Sequence, residues 1–221
     1  GDLTCGVTLA MAPIAEKNKV LLLAPGASNP KVRQSGDYIF RNWVSDDFDG
    51  MIAASYIIDS LKKNSVYVLN IQNDYGIGLS KAFKETFKDK NGIIVGQESY
   101  IETQTDFKGI ITKMKGVDFD VVYIAGQPKD IGYIVKQMKE LALNKFIFSN
   151  ASVEEKDFKE IASDLNTEIY YTTPAFNLND TSKVIQNFVS AYWDKYGSKP
   201  DIASAHGYDA AKIYLYCFKN N

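Results

Sequence analysis

Three short stretches of this 221-residue chain carry residue types suited to chemistry, each at the start of a helix or the end of a strand-forming run. In "VYVLNIQNDYGIGLSKAF" (66–83), Gly76 and Gly78 invite comparison with a dinucleotide fingerprint. That pattern wants G-x-G-x-x-G directly off a strand and an acid about 20 positions later. Glu98 supplies the acid. Lys81 holds the place of the third glycine, Gln72 to Tyr75 separate strand from glycine, and Asp74 sets a carboxylate where a pyrophosphate would lie. An NAD-dependent oxidoreductase using residues 73–81 is the alternative function. A plain strand-to-helix turn is the simpler explanation of the glycines. In a third reading they bend the backbone away from Tyr75, whose flat apolar ring and hydroxyl suit a small ligand that is part hydrocarbon and part polar.

Two other loops favour the third reading. In "LTCGVTLAMAPIAEKN" the segment around Cys5 and Gly6 runs into a helix whose first amides have no internal partners, which attracts a carboxylate. An ordinary cap by Thr4 or Thr8 is the competing explanation. In "LLLAPGASNPKV" a buried strand ends in a rigid turn, Pro25 to Pro30, displaying backbone carbonyls and the Ser28 hydroxyl; a bare loop has the same composition. Both lie at carboxyl ends of strands, where open sheets bind ligands. His206, the only histidine, opens a helix, so no catalytic residue is assigned. Asp46, Asp47 and Asp49 begin another helix and lack the alternation of a calcium loop, so no metal is expected, and no cofactor either.

The elements that position these residues alternate. Apolar runs at 20–24, 66–71, 92–100, 119–125, 145–150 and 168–173 are separated by helix-period segments at 46–62, 79–88, 106–114, 130–141 and 154–165. This is the signature of α/β architecture with doubly wound parallel sheets. Two helices, 181–196 and 203–218, then follow one another, with "YGSKPD" between them. Lobe boundaries are expected near 45 and 198. A net charge of −2 and no basic cluster remove the electrostatic term on which nucleic-acid binding depends, so no nucleic acid is expected. The longest apolar run, "VLLLA", falls far short of the roughly 20 residues of a membrane span, leaving either a cytoplasmic protein or one whose targeting segment has been removed. Cys5 and Cys217 lack metal-site spacing and indicate no disulfide scaffold.

With these residues in view, "GVTLAMAPIAEKNKVLLLAPGASNPKV", "RNWVSDDFDGMIAASYI", "NDYGIGLSKAFKETF", "DFDVVYIAGQPKDIGYIVKQMKELAL" and "HGYDAAKIYLY" stand in the order of a known family. The chain resembles the type I periplasmic binding proteins, in particular the branched-chain amino acid (leucine/isoleucine/valine) binding components of ABC transporters. The resemblance implies a two-lobed periplasmic-binding-protein type I fold that closes on its ligand like a hinge. It implies a partial lobe 1 at 1–45, a complete lobe 2 at 46–198 and a return helix to lobe 1 at 199–221. It implies a non-enzymatic receptor, periplasmic or extracellular and lipid-anchored in the full-length protein, that hands an amino acid to a membrane permease.

By the same resemblance, Cys5 and Gly6 match the loop holding the ligand's carboxylate, and Ala27 and Ser28 match the loop contributing a carbonyl and a hydroxyl to its ammonium. Tyr75 matches a tyrosine of the second lobe. Gln127 stands where an aromatic is common. In "FSNAS", Ala151 and Ser152 follow the place where a carboxylate often pairs with the ammonium, yet Asn150 occupies it. An ammonium buried without counter-charge costs several kcal/mol, so a different ligand, Glu154 or Glu155, or a residue outside this chain is expected to compensate. The family's first lobe begins before "GDLTCG" and continues beyond "CFKNN", so the chain is expected to be a fragment. Its lobe 1 remnant would bury too little apolar surface alone, and rearrangement, poor packing or self-association with a second copy follows. A sensory or regulatory ligand-binding domain of the same fold is a further alternative.

Overall fold

A computed structural model describes residues 1–220 and divides the chain into two compact units: residues 1–44 with the segment from Pro174 onward, and Ser45–Thr173. The first unit opens with helix α1 (Cys5–Lys17), strand β1 (Leu22–Ala24), a 3-10 turn at Pro30–Gln34 and strand β2 (Ile39–Arg41). The two strands pair in parallel, Leu22 opposite Ile39 and Ala24 opposite Arg41. Pro30 starts the 3-10 turn because its fixed φ fits a first helical position, and the Asn29 side chain caps it by accepting from the Lys31 N–H.

The second unit runs helix α2 (Asp46–Ser55), a wider π turn at Tyr56–Ser60, strand β3 (Ser65–Ile71), helix α3 (Asp74–Asp89), strand β4 (Ile93–Tyr100), helix α4 (Lys108–Lys115) and strand β5 (Val121–Ala125). Helix α5 (Pro128–Glu140), strand β6 (Phe146–Ser149), a 3-10 turn at Ala151–Glu154, helix α6 (Lys156–Ala162) and strand β7 (Ile169–Tyr171) complete it. All five strands are parallel, in the order β4-β3-β5-β6-β7.

Successive side chains of a strand point to opposite faces, and two separate cores follow from that alternation. On one face Tyr67, Leu69, Ile71, Val122, Ile124 and Ile147 pack with Ile111 and Met114 of α4 and Ile131, Ile134 and Met138 of α5. On the other, Val66, Val68, Val121, Tyr123 and Phe148 pack with Ala53 of α2 and Leu79, Phe83 and Phe87 of α3. Phe83 lies flat on Tyr123, ring centroids 3.7 Å apart. Helices therefore cover both faces, which is why β5 reads as an unbroken apolar run and β3 is interrupted within 66–71 only by Asn70.

The chain returns to the first unit with helices α7 (Lys183–Tyr196) and α8 (Ile202–Asn220). Gly197, at φ 66°, provides the left-handed stop between them. The division thus falls after Thr173, and α7 belongs with the first unit, whereas the sequence carried the second lobe to residue 198. The side chain of Tyr214 ties α8 to β1, donating to the Leu21 carbonyl and accepting from the Leu23 N–H, both at 3.0 Å. Both apolar clusters lie in the second unit. In the first, Leu3, Val7, Met11 and Ile14 form an exposed stripe on and before α1, and Trp193, Tyr216 and Phe218 are exposed on α7 and α8.

Candidate ligand-binding site

In the second unit, β3 leads to β4 on one side and then to β5 on the other, so the sheet reverses direction between β3 and β5. Ligand crevices of open parallel sheets form at that reversal, outside the carboxyl ends of the strands. Tyr75 stands in the first turn of α3, just after β3; Gln127 precedes α5, just after β5; and the 3-10 turn after β6 carries Ala151 and Ser152. All four expected residues of this unit share one sheet edge. Gln127 is exposed, and Ala151 and Ser152 are half-buried. Tyr75 is half-buried too and packs against the core that contains Phe83, so part of its ring has a structural use.

The glycines do not form a loop. Helix α3 begins at Asp74, and the Asn73 side chain accepts from the Gly76 N–H at 2.9 Å, so an amide that a phosphate would take is already bonded. Gly76 has a packing reason: a Cβ there would lie 2.4 Å from the Ile71 carbonyl oxygen and 3.1 Å from that of Ala125. It lets α3 close onto β3 and β5, the part that Lys81 could not play.

Beneath Gln127 lies a buried polar frame. The Asp130 carboxylate accepts the Gln127 N–H at 3.0 and 3.1 Å, and the Tyr100 hydroxyl at the end of β4 donates to the same carboxylate. Burial, then the neighbouring Asp130 charge, pushes the Tyr100 phenol well above its ordinary value; burial also raises Asp130, against the hydrogen bonds it accepts. Asn150 is 1% exposed; its Nδ2 donates to the Gly126 carbonyl at 3.0 Å and its Oδ1 accepts from the Ser152 N–H at 2.9 Å. Of the two acids that follow, Glu154 lies against the Tyr171 hydroxyl, which burial and that carboxylate together raise.

In the first unit, Cys5 and Ser28 come together. Cys5 is buried, its Sγ 3.7 Å from Ser28 Oγ and accepting from the Asn29 N–H at 3.4 Å. Gly6 is exposed, while Ala27 and Ser28 are buried. Arg41, at the end of β2, donates to the carbonyls of Ser28 (2.7 Å) and Asn29 (2.9 Å), so a turn carbonyl expected for a ligand ammonium already serves a guanidinium. Neither Thr4 nor Thr8 caps α1: Thr4 is the N-cap residue without a side-chain cap bond, and the Thr8 hydroxyl donates to the Asp2 carbonyl. Arg41, Tyr100 and the Asn150 amide escaped the sequence reading. Asp130 escaped it too, although an acid three residues after Gln127 is the spacing of a capping box and could have revealed it.

His206 packs on the Trp43 ring at 4.4 Å, and burial holds its imidazole below the ordinary value. No group of acids, cysteines or histidine among the described residues could hold a metal, and no described helix is long and apolar enough to cross a membrane.

The sequence pattern of the periplasmic binding protein family matches residues 1–220. The chain belongs to that family. A Leu/Ile/Val-binding protein homolog of Brucella abortus is 26% identical over 96% of this chain. Among solved structures, a leucine binding protein from Thermotoga maritima has a TM-score of 0.92 at 28% identity over the whole chain. LivJ of Streptococcus pneumoniae, a branched-chain amino acid transporter substrate binding protein solved with isoleucine, has 0.87 at 30% over 96%. The periplasmic binding protein fold, α/β with parallel sheets, is therefore established, and these relatives are solute-binding proteins. This chain spans 57% of the Brucella protein, 63% of the Thermotoga chain and 61% of the Streptococcus chain.

Proposed function

We propose that this protein binds an amino acid, branched-chain or similarly small and apolar, and delivers it to the membrane permease of an ABC transporter. The residues assigned to binding are, within the first unit, Cys5, Gly6, Ala27 and Ser28 and, within the second, Tyr75, Gln127, Ala151 and Ser152, all close after strand or loop ends of their own unit. The carrying observation is that a phenol, an amide, a methyl and a hydroxyl, all neutral, follow the carboxyl ends of β3, β5 and β6, in a chain whose relatives are named for leucine, isoleucine and valine. Such a row can bury hydrocarbon while bonding a few polar atoms. The protein acts outside the cytoplasm, held there by a lipid anchor in its full-length form, and the exposed stripe from Leu3 to Ile14 supports association with a second copy.

A thermal-shift series with single amino acids and NAD tests this reading. A ligand at a hundredfold its dissociation constant stabilises the native state by about 2.7 kcal/mol, so leucine, isoleucine or valine should raise the melting temperature by several degrees. Stabilisation by NAD and by no amino acid would favour the nucleotide alternative instead.

A further inference from the structure

One side chain joins two of the turns assigned to the site. The Asn150 amide reaches back to the Gly126 carbonyl, the peptide unit that carries Gln127, and forward to the Ser152 N–H. The far side of the Gln127 turn is gripped by Asp130, itself held by Tyr100 from β4. Gly126 is closely enclosed: a Cβ there would meet the Tyr100 hydroxyl and Asp130 Oδ2, at 2.4 and 2.6 Å. Three strand ends, β4, β5 and β6, are thereby cross-tied at one edge by groups that water does not reach.

We propose that Asn150, with the Tyr100–Asp130 pair, is a positioning residue that couples Gln127 to Ser152, so that the two are presented as one rigid surface. This rests on the proposed binding role of those residues. An amide offers a donor to one turn and an acceptor to the other whatever the pH; an ionised carboxylate would set its charge against the Gly126 carbonyl and donate nothing. The neutral residue at this position is therefore a working part of the chain's own scaffold, and recognition geometry depends on its hydrogen bonds, since groups that bind a ligand must be fixed to within a fraction of an ångström.

Hydrogen exchange and isoleucine titration on N150D, Y100F and Q127A decide the matter. In N150D and Y100F, protection of residues 126–130 should fall at least tenfold while that of 66–71 is unchanged, and isoleucine should bind at least tenfold more weakly. In N150D both losses should reverse as the pH falls and the new carboxyl regains a proton to donate. Unchanged protection at 126–130, equal loss at 66–71, or unaltered isoleucine affinity despite lost protection would each overturn the coupling. Q127A tests the underlying reading separately: unaltered isoleucine affinity there removes Gln127 from the site, while the exchange data still judge whether Asn150 and Tyr100 hold the turns together.

Discussion

Asp49 sits in the first turn of α2, and burial, only partly offset by the Thr172 hydroxyl, raises its carboxyl from 3.8 to about 6. The same carboxylate, after burial, lifts the Tyr123 phenol. Because the folded state holds this proton more tightly than the unfolded chain, the stabilisation is complete below pH 3.8 and lost as pH rises through about 6. The loss amounts to about 3 kcal/mol by pH 7. D49N should flatten the urea-midpoint profile across that window and raise stability at neutral pH. Gly76 makes the opposite kind of demand. G76A would drive a methyl into the Ile71 carbonyl, and chemical denaturation should show a loss of about 1–3 kcal/mol or more. The sequence singled out Gly76 and Tyr75, but not the reason for the glycine. Its neighbours in space, Ile71 and Ala125, belong to two strands, and only the assembled sheet brings the second one there. For the same reason Asn150 read as a missing charge, since its partners at Gly126 and Ser152 depend on how two turns lie together.

At the scale of elements, strand centres were legible because both faces of β3, β5 and β6 are covered, which demands continuous apolar residues. Ends were less so. Helix α3 starts five residues before Leu79 because Asn73 caps it and glycine is tolerated in its first turn. The widened turn at Tyr56–Ser60 leaves no local signature, and α7 changed units because helical periodicity says nothing about which sheet a helix joins. Phe83 of α3 stacks against Tyr123 of β5, in a cluster that also holds Phe87. F83A should cost about 3–5 kcal/mol in equilibrium unfolding, the range for a buried aromatic whose space stays empty.

At the scale of the whole molecule, the two units differ in what holds them. Ser45–Thr173 contains both apolar clusters and a continuous hydrogen-bonded sheet of five strands, whereas the other unit relies on a two-stranded sheet, short buried contacts and the Tyr214 clasp. Residues 45–173 expressed alone should therefore fold cooperatively, with a single sigmoidal urea transition by both far-ultraviolet circular dichroism and Tyr fluorescence. Non-coincident transitions would show that the second unit depends on the first.

Because Ser45–Thr173 interrupts the other unit in sequence, birth on the ribosome imposes an order on them. The first 44 residues emerge early, yet α7 and α8, with which they share a unit, follow only after the intervening segment; at about 5–20 residues per second that is a wait on the order of ten seconds. Throughout that interval β1 stands without the Tyr214 clasp that α8 will bring, which makes the emerging chain a natural client for a holding chaperone.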